Sequence, residues 1–505
     1  MPPRRPCDER SRRDRRSSLL AAANAATGRL AARRHLQGPW LRLWRCCQPH
    51  IASYRGVQHL HHVLRPLMSL LLRSCIVFFA LVVAGLATPV APAATTSETL
   101  EKVVILKRHG VRAAMSSPEQ LGRYSARPWP RFDVPAGHLT ANGARLEALF
   151  GTYYRARYTP LGLFDGDGCA NVYYWANRTQ RTIASARALA STLTPGCTNT
   201  VHHVADDASD PLFDGAPALR QPAAAALMRA AIAGRVGGDV ASWNAAQRDA
   251  IDSLQQLLLQ CAQRPCPTQA GAGKQRLDAV PAGMGAAHDG IAGVQGPAPA
   301  ASGISESLLM GWADGQDFAG LGWQGVDEAS LLRAFAPHQA EFALRLRAPT
   351  VARMASTPLA ARLLATLQQG SVTSGNRNPS QATPIGGDAR LVVLSGHDGT
   401  LTLLAGMFDL HWQLPGYQPD QTVPGGALVF ERWRRADGQR VIRLRYTAQT
   451  LAQLRERRAL TPQAPPPSSP VFIPGCSSAT PAYDCPLPTL ATLIDAAIDP
   501  HYLSE

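Results

Sequence analysis

The hydrophobic pattern of the chain alternates short apolar runs with longer amphipathic segments. Three short runs end in a polar cluster: Val103–Leu106, Asn171–Trp175 and Arg390–Ser395. Runs of this length predict strands that are buried on both faces of a sheet. Two further strands are predicted at Gly426–Trp433 and Val441–Tyr446. Because ligands bind beyond the carboxyl ends of parallel strands, the polar clusters predict a site at one sheet edge.

Helical spacing separates these strands. Apolar residues recur every three or four positions over Leu139–Tyr158, with Thr140 as a candidate cap, and over Ile183–Leu193. Between the second and third apolar runs the pattern is helical without alternating strands. The Gly/Pro/Ala-rich stretch Gly271–Gly303 predicts a mobile loop inside that segment.

The predicted fold class is α/β, with a mostly parallel sheet flanked by helices and an inserted all-α cap subdomain. We expect residues 97–215 and 385–505 to form the core, and residues 216–384 to form the cap. The chain of 505 residues is long enough for one large core or two domains.

The basic character of the chain is concentrated in a leader. The formal charge is +15, but residues 1–67 hold 14 Arg against three acidic residues, a net +11. This distribution removes the main support for a nucleic-acid partner. We expect residues 1–67 to be a non-native or unstructured leader, with the true start at Met68.

Residues 68–93 read as a secretory signal peptide. Arg73 supplies a positive charge, Ile76–Ala87 is a twelve-residue apolar run, and Ala91-Pro92-Ala93 offers a cleavage site. A membrane span needs about 20 apolar residues, so no stable membrane anchor is expected. The predicted location is periplasmic or secreted.

Six cysteines follow the predicted cleavage site, an even number that suits an oxidising compartment. Their spacing lacks the C-x2-C pairs of a zinc site. The simplest connectivity joins neighbours in sequence: Cys169 with Cys197, Cys261 with Cys266, and Cys476 with Cys485.

The strand ends carry the candidate chemistry. The first strand runs into Arg108, His109 and Arg112, the second precedes Arg181, and the third ends at His397-Asp398. Guanidinium groups donate paired hydrogen bonds to a phosphoryl group, His is a nucleophile, and a carboxyl group can protonate a leaving oxygen. Neither a GxxxxGK[ST] loop nor an HExxH helix occurs, which argues against nucleotide-fuelled transfer and zinc hydrolysis.

Five segments, in order, resemble the histidine acid phosphatases, in particular the bacterial periplasmic phytase and glucose-1-phosphatase group. They are RHGVRA at 108–113, ANRTQRT at 176–182, DPLF at 210–213, GHD at 396–398 and PGGALVFERW at 424–433. The resemblance implies an α/β domain with a helical cap, a phosphohistidine intermediate, and neither a metal nor another cofactor.

The resemblance also implies residue roles. His109 would be the nucleophile, and Asp398 would protonate the leaving group. The phosphate-binding residues would be Arg108, Arg112, Arg181 and His397. The Arg cluster should keep His109 neutral, whereas Asp398 must hold a proton above its ordinary pKa of about 3.9, so an acidic optimum is expected.

Departures from the family pattern bear on the substrate. Met115 replaces a hydroxyl residue, Gly399-Thr400 follows GHD, and Gly311 stands where phytases carry an acidic residue. Met115, Arg178 and Gly311 are therefore expected at the pocket rim. The departures favour a glucose-1-phosphatase-like enzyme acting on small-molecule sugar-phosphate monoesters. The alternatives are a phytase, and a phosphate-ester binding protein that has lost turnover.

Overall fold

The computed structural model describes residues 98–288, 290–370 and 382–503. The predicted leader and signal peptide therefore lie outside the described residues. The strands are β1 (Thr99–Arg108), β2 (Val172–Ala176), β3 (Val201–His202), β4 (Gly283–His288), β5 (Ile291–Gln295), β6 (Leu391–Gly396), β7 (Ala427–Arg434), β8 (Arg440–Thr447), β9 (Ser468–Pro470) and β10 (Cys485–Pro486). The helices are α1 (Pro118–Gly122), α2 (Ala141–Tyr158), α3 (Gln180–Leu193), α4 (Pro211–Asp214), α5 (Pro222–Gly234), α6 (Val240–Ala246), α7 (Arg248–Leu259), α8 (Pro297–Asp314), α9 (Glu328–Ala334), α10 (Ala336–Arg345), α11 (Pro349–Gln368), α12 (Asp398–Met407), α13 (Leu451–Glu456) and α14 (Leu487–Ala497).

An eight-stranded sheet organises the described chain, in the order β10-β8-β7-β1-β6-β2-β3, with β9 paired to β8. The strands β1, β6, β2 and β3 are parallel neighbours. The strand β7 is antiparallel to both β1 and β8, so β8 runs in the same direction as β1. The predicted α/β class, with a mostly parallel sheet flanked by helices, is confirmed.

The two central strands are buried on both faces, as their unbroken apolar pattern predicts. Along β1, Val104 and Leu106 pack into one apolar cluster, whereas Val103 and Ile105 pack into a second cluster. Alternate residues of a strand point to opposite faces, so the two clusters lie on the two sides of the sheet. This double burial fixes the position of the residues that follow β1.

The helix predicted over Leu139–Tyr158 begins at Ala141, two residues after the apolar pattern starts. The Thr140 side chain accepts a hydrogen bond of 2.9 Å from the Gly143 amide, which caps α2. The helix α3 begins at Gln180, three residues earlier than the pattern indicated, so that Arg181 lies in its first turn.

The segment between β3 and β6 is helical as predicted, with one exception. The loop expected at Gly271–Gly303 instead contains a two-stranded antiparallel hairpin, β4–β5, and the beginning of α8. The sequence pattern did not predict these strands, because they consist largely of Gly and Ala. Strands are usually recognised by β-branched and aromatic residues. The inserted segment is therefore not purely α-helical.

All three predicted disulfides are present: Cys169–Cys197, Cys261–Cys266 and Cys476–Cys485. Among the described residues, no helix has both the length and the apolar character needed to cross a membrane.

Candidate active site

His109 stands directly after β1, and its backbone is held from two sides. Its amide donates to the Gly396 carbonyl over 3.0 Å, and its carbonyl accepts from the Gly425 amide over 2.9 Å. The residue is 2% exposed. The ends of β6 and the turn before β7 therefore fix the position of the imidazole.

Hydrogen bonding defines which ring nitrogen of His109 is free to react. Nδ1 lies 2.8 Å from the Gly110 carbonyl oxygen. A carbonyl can only accept, so Nδ1 carries the proton and Nε2 carries the lone pair. Burial lowers the pKa of His109 well below its ordinary value, and the positive charges of Arg108 and Arg181 lower it further. The ring is a neutral base with a reactive Nε2.

Two guanidinium groups are held in place by one carboxylate, that of Glu306 on α8. Arg108 is fully buried; its Nη1 donates to the Thr422 carbonyl over 2.6 Å, and its Nη2 contacts Glu306. Arg112 donates from Nη2 to the same Glu306 oxygen over 3.2 Å. Glu306 thereby aligns the two cations at the strand end.

Arg181 and His397 meet across the ends of β2 and β6. Arg181 Nη2 lies 3.4 Å from His397 Nδ1, and His397 Nε2 lies 3.1 Å from Asn177 Oδ1. The rings of His397 and His109 are 5.6 Å apart, edge to face. Burial, and then the charge of Arg181, lower the pKa of His397 to about 3.

Asp398 is the first residue of α12, next to Arg108. Its Oδ2 lies 3.0 Å from Arg108 Nη2, and its Oδ1 accepts from the Gly399 amide over 2.8 Å. Burial alone would raise the pKa of Asp398, but the charges of Arg108, His338 and His397 outweigh burial and hold it below its ordinary value. The sequence expectation that the pKa of Asp398 is raised is therefore wrong.

The predicted residues surround one cavity of about 780 Å³. His109, Arg112, Arg181, His397 and Asp398 line it. Arg108 does not line the cavity itself, but its side chain contacts two residues that do, Glu306 and Asp398.

Two of the three expected rim residues line the same cavity. Met115 is 57% exposed, and Arg178 is exposed and donates to the Asp206 carbonyl. Gly311 is not a rim residue: it is buried in α8, where an added Cβ would lie 2.9 Å from Phe318.

A helix turns by about 100° per residue, which explains the error at Gly311. Glu306 lies five residues earlier, about 140° around α8, and faces the cavity. The acidic residue that α8 presents to the cavity is therefore Glu306.

The cavity residues that sequence reasoning missed include Asn177, Glu306 and His338. Glu306 could have been found by placing the SESLLMGW segment on a helical wheel. His338 carries no signal of this kind, because a single His on an amphipathic helix usually belongs to the core.

One cluster has the donor set of a metal site. Single ligand atoms of Glu306, His338 and Asp398 lie within 4.8 Å of one another. Arg108 Nη2 already contacts both carboxylates, so a cation at this point would have to displace a buried guanidinium. The cluster is better suited to exchanging protons than to holding a metal ion.

Comparison with known proteins identifies the family. The model of the histidine phosphatase superfamily (branch 2) matches residues 99–447. The phytase AppA of Escherichia coli (strain K12) is 32% identical over 408 residues, covering 79% of this chain and 92% of the relative. The glucose-1-phosphatase of Salmonella typhimurium is 26% identical, covering 83% and 98%.

A solved structure agrees with this result. The apo form of Hafnia alvei phytase superposes with a TM-score of 0.69 and 31% identity, covering 82% of this chain and all of that one. The chain belongs to the histidine phosphatase superfamily, branch 2, and is a phosphatase.

Proposed function

We propose that the protein is an exported acid phosphomonoesterase that hydrolyses sugar-phosphate-type monoesters through a phosphohistidine at His109. One observation carries the proposal: the neutral Nε2 of a buried His stands among guanidinium groups at the edge of a cavity. Neutral nitrogen is the nucleophilic form, and fixed positive charge stabilises the phosphoryl oxygens during transfer.

The reaction follows from these positions. Arg108, Arg112, Arg181 and His397 bind the phosphoryl oxygens, and His109 Nε2 attacks phosphorus as the ester P–O bond breaks. Asp398 gives a proton to the leaving oxygen. Water then attacks phosphorus as the P–Nε2 bond breaks, its protons leave with the inorganic phosphate, and neutral His109 is regenerated.

A bound phosphate dianion changes the charge around Asp398. Its negative charges offset those of the arginines that hold the pKa of Asp398 down, and so favour the protonated carboxyl group. Substrate binding therefore favours the protonated form of Asp398, which is the form that can donate a proton. We expect an acidic optimum on this basis.

The charge balance of the cavity favours a substrate with a single phosphate. Its lining contains five arginines and five acidic residues: Arg112, Arg178, Arg181, Arg220, Arg345, Asp207, Asp214, Glu306, Glu341 and Asp398. Glu341 pairs with Arg345 at 2.5 Å, and Glu306 with Arg112 at 3.2 Å.

The lysines of the chain do not add to this charge. The chain has three, Lys102, Lys107 and Lys274, and each donates to a group outside the cavity lining. We call the phosphate-binding residues Arg108, Arg112, Arg181 and His397 the phosphate cradle. A densely anionic ester such as inositol hexakisphosphate would find few unpaired cations beyond it.

The alternative substrate is inositol hexakisphosphate. The 32% identity with the Escherichia coli phytase supports it. The corrected position of the α8 carboxylate, at Glu306 instead of Gly311, also removes one argument against a phytase. A third possibility, a binding protein without turnover, follows from the altered Gly399-Thr400 pair.

Export is part of the proposal. The predicted signal peptide at residues 68–93 and three disulfides both suit a periplasmic or secreted enzyme. We propose small phosphate monoesters as its partners, with neither a nucleic acid nor a stable membrane anchor.

Two assays test the proposal. Chelator-treated enzyme should release phosphate from an aromatic phosphate near pH 5, and an absence of release would favour the binding protein. Glucose 1-phosphate and phytate should then be compared side by side. We expect kcat/KM for glucose 1-phosphate to be at least equal to that for phytate, and a preference for phytate of tenfold or more, about 1.4 kcal/mol, would select the phytase alternative.

A further inference from the structure

A buried histidine next to Asp398 is not used by the mechanism given above. His338 on α10 is 4% exposed and lies at the wall of the cavity. Its Nδ1 lies 3.0 Å from the Ser302 hydroxyl group, which donates to Glu341 over 2.7 Å. Its Nε2 has no hydrogen-bond partner among the described residues. A buried ring nitrogen without a partner calls for an explanation.

The His338 ring lies close to the reacting carboxyl group. Ligand atoms of His338, Glu306 and Asp398 all lie within 4.8 Å of one another. A gap of this size is closed by one bridging water molecule or by a small rotation of a side chain. The second oxygen of Glu306 is also buried without a partner. The three groups therefore form a pocket in which a proton can move.

The charges around His338 come from four elements. Carboxylates face it from α8 (Glu306), from α12 (Asp398) and from its own helix (Glu341), while Arg108 approaches from β1. Burial lowers the pKa of His338, and the three carboxylates counteract this in part. The rings of Phe335 and Phe342 pack at 4.4 and 4.1 Å and fix the plane of the imidazole.

We propose that His338 is a positioning residue that supplies the proton of Asp398, an inference that rests on the proposed phosphatase function. The Nε2–H bond of protonated His338 breaks, and the proton passes to the Asp398 carboxylate. The Asp398 O–H bond then breaks as the leaving oxygen takes the proton and the ester P–O bond cleaves. Neutral His338 keeps the Nδ1 proton that it donates to Ser302, and its Nε2 recovers a proton from solvent in the cavity.

This relay answers a difficulty at Asp398. Arg108 favours the ionised carboxylate, which cannot donate a proton. A second proton store close to the carboxylate lets Asp398 be reprotonated although Arg108 favours its ionised form.

The test compares esters with good and poor leaving groups. Nitrophenolate leaves without protonation, whereas an alkoxide needs a proton in the transition state. In His338→Gln, which keeps a polar group near the Nε2 position but cannot titrate, the ratio of kcat/KM for p-nitrophenyl phosphate to that for glycerol 2-phosphate should rise at least tenfold. The alkaline limb of the pH profile for glycerol 2-phosphate should move to lower pH.

Two variants complete the design. His338→Asn keeps a partner for Ser302, should behave as His338→Gln does, and replaces it if that variant fails to fold. His411→Gln is the matched control, because His411 also contacts two carboxylates, Asp409 and Asp420, but is 60% exposed and outside the cavity lining. Its ratio and pH profile should equal those of wild type.

The outcomes separate the inference from the function. An equal loss for both esters with an unmoved pH profile would show a packing role for His338 and overturn the inference. In an Asp398→Asn background, His338→Gln should not change the ratio further, and an additional tenfold change would overturn action through Asp398. If wild-type enzyme cleaves neither ester, the proposed phosphatase chemistry itself fails.

Discussion

Asp398 Oδ2 lies 3.0 Å from Nη2 of Arg108, a guanidinium without solvent exposure. The same Nη2 contacts Glu306, so one buried cation faces two carboxylates. The arrangement ties the proposed proton donor to the phosphate-binding arginine. Any anion that binds Arg108 therefore changes the charge that Asp398 experiences.

Asp398→Asn should slow the cleavage of alkyl esters far more than that of aryl esters. An amide cannot donate the proton that an alkoxide requires, and general acid catalysis contributes about 100-fold to 10,000-fold. We expect kcat/KM for glycerol 2-phosphate to fall by roughly 100-fold or more, and that for p-nitrophenyl phosphate to fall by roughly tenfold. Equal losses for the two esters in a steady-state assay would contradict this role.

His109→Ala should abolish the covalent intermediate and leave the fold intact. The residue stands at a strand end and lines the cavity. Rapid acid quenching of wild type with radiolabelled substrate should trap an acid-labile, base-stable phosphoryl adduct. The same adduct on the variant, at wild-type amounts, would disprove the assignment, and an unchanged circular dichroism spectrum serves as the control for folding.

His397 should make stability depend on pH. Its pKa is about 3 in the folded state and about 6.5 in the unfolded chain, so between these values the unfolded chain binds more protons. Stability contributed by neutral His397 is therefore present above pH 6.5 and is lost as the pH falls towards 3.

Urea unfolding at several pH values measures this contribution. Over the window from pH 6.5 to 3, wild type should lose of order 3 kcal/mol more than His397→Gln. Parallel stability curves for wild type and His397→Gln would refute the prediction.

Glu147→Ala should destabilise the fold strongly. Glu147 pairs with Lys107 directly beneath the strand end, and neither side chain has solvent exposure. Removing the carboxylate leaves a buried ammonium group without its partner, which costs about 3–5 kcal/mol. Chemical denaturation measures this change.

The matched control is Glu119→Ala. Glu119 pairs with Arg131 at 2.7 Å, but the two side chains are 65% and 77% exposed. Solvent screens such a pair, so the denaturation midpoint should not shift measurably. Similar midpoints for the Glu147 and Glu119 variants would contradict the importance of the buried pair.

The sequence predicted the parts of the site that depend on strand ends. Arg181 is predicted at the end of the second strand, and the structure places it beside His397. Such residues are predictable because strand order and direction bring their positions together. The role of each residue in catalysis stays a prediction until the variants are measured.

The parts that depend on helix rotation and on charge could not be predicted in the same way. Gly311 was misplaced because the face that α8 turns to the cavity depends on its packing. The pKa of Asp398 was misjudged because it depends on the distance to Arg108. His338 was missed because only tertiary contacts bring it near Asp398.

The hydrogen bonds that hold His109 also decide when activity can first appear. The backbone of His109 is bonded to Gly396 and Gly425, about 300 residues further along the chain, and the side chain of Arg108 is bonded to the Thr422 carbonyl. A nascent chain that has not yet reached these residues cannot assemble the phosphate cradle. Contacts of such long range slow folding, because distant segments must meet before they gain any stabilisation. The growing polypeptide thus stays inactive at least until Gly425 has been added.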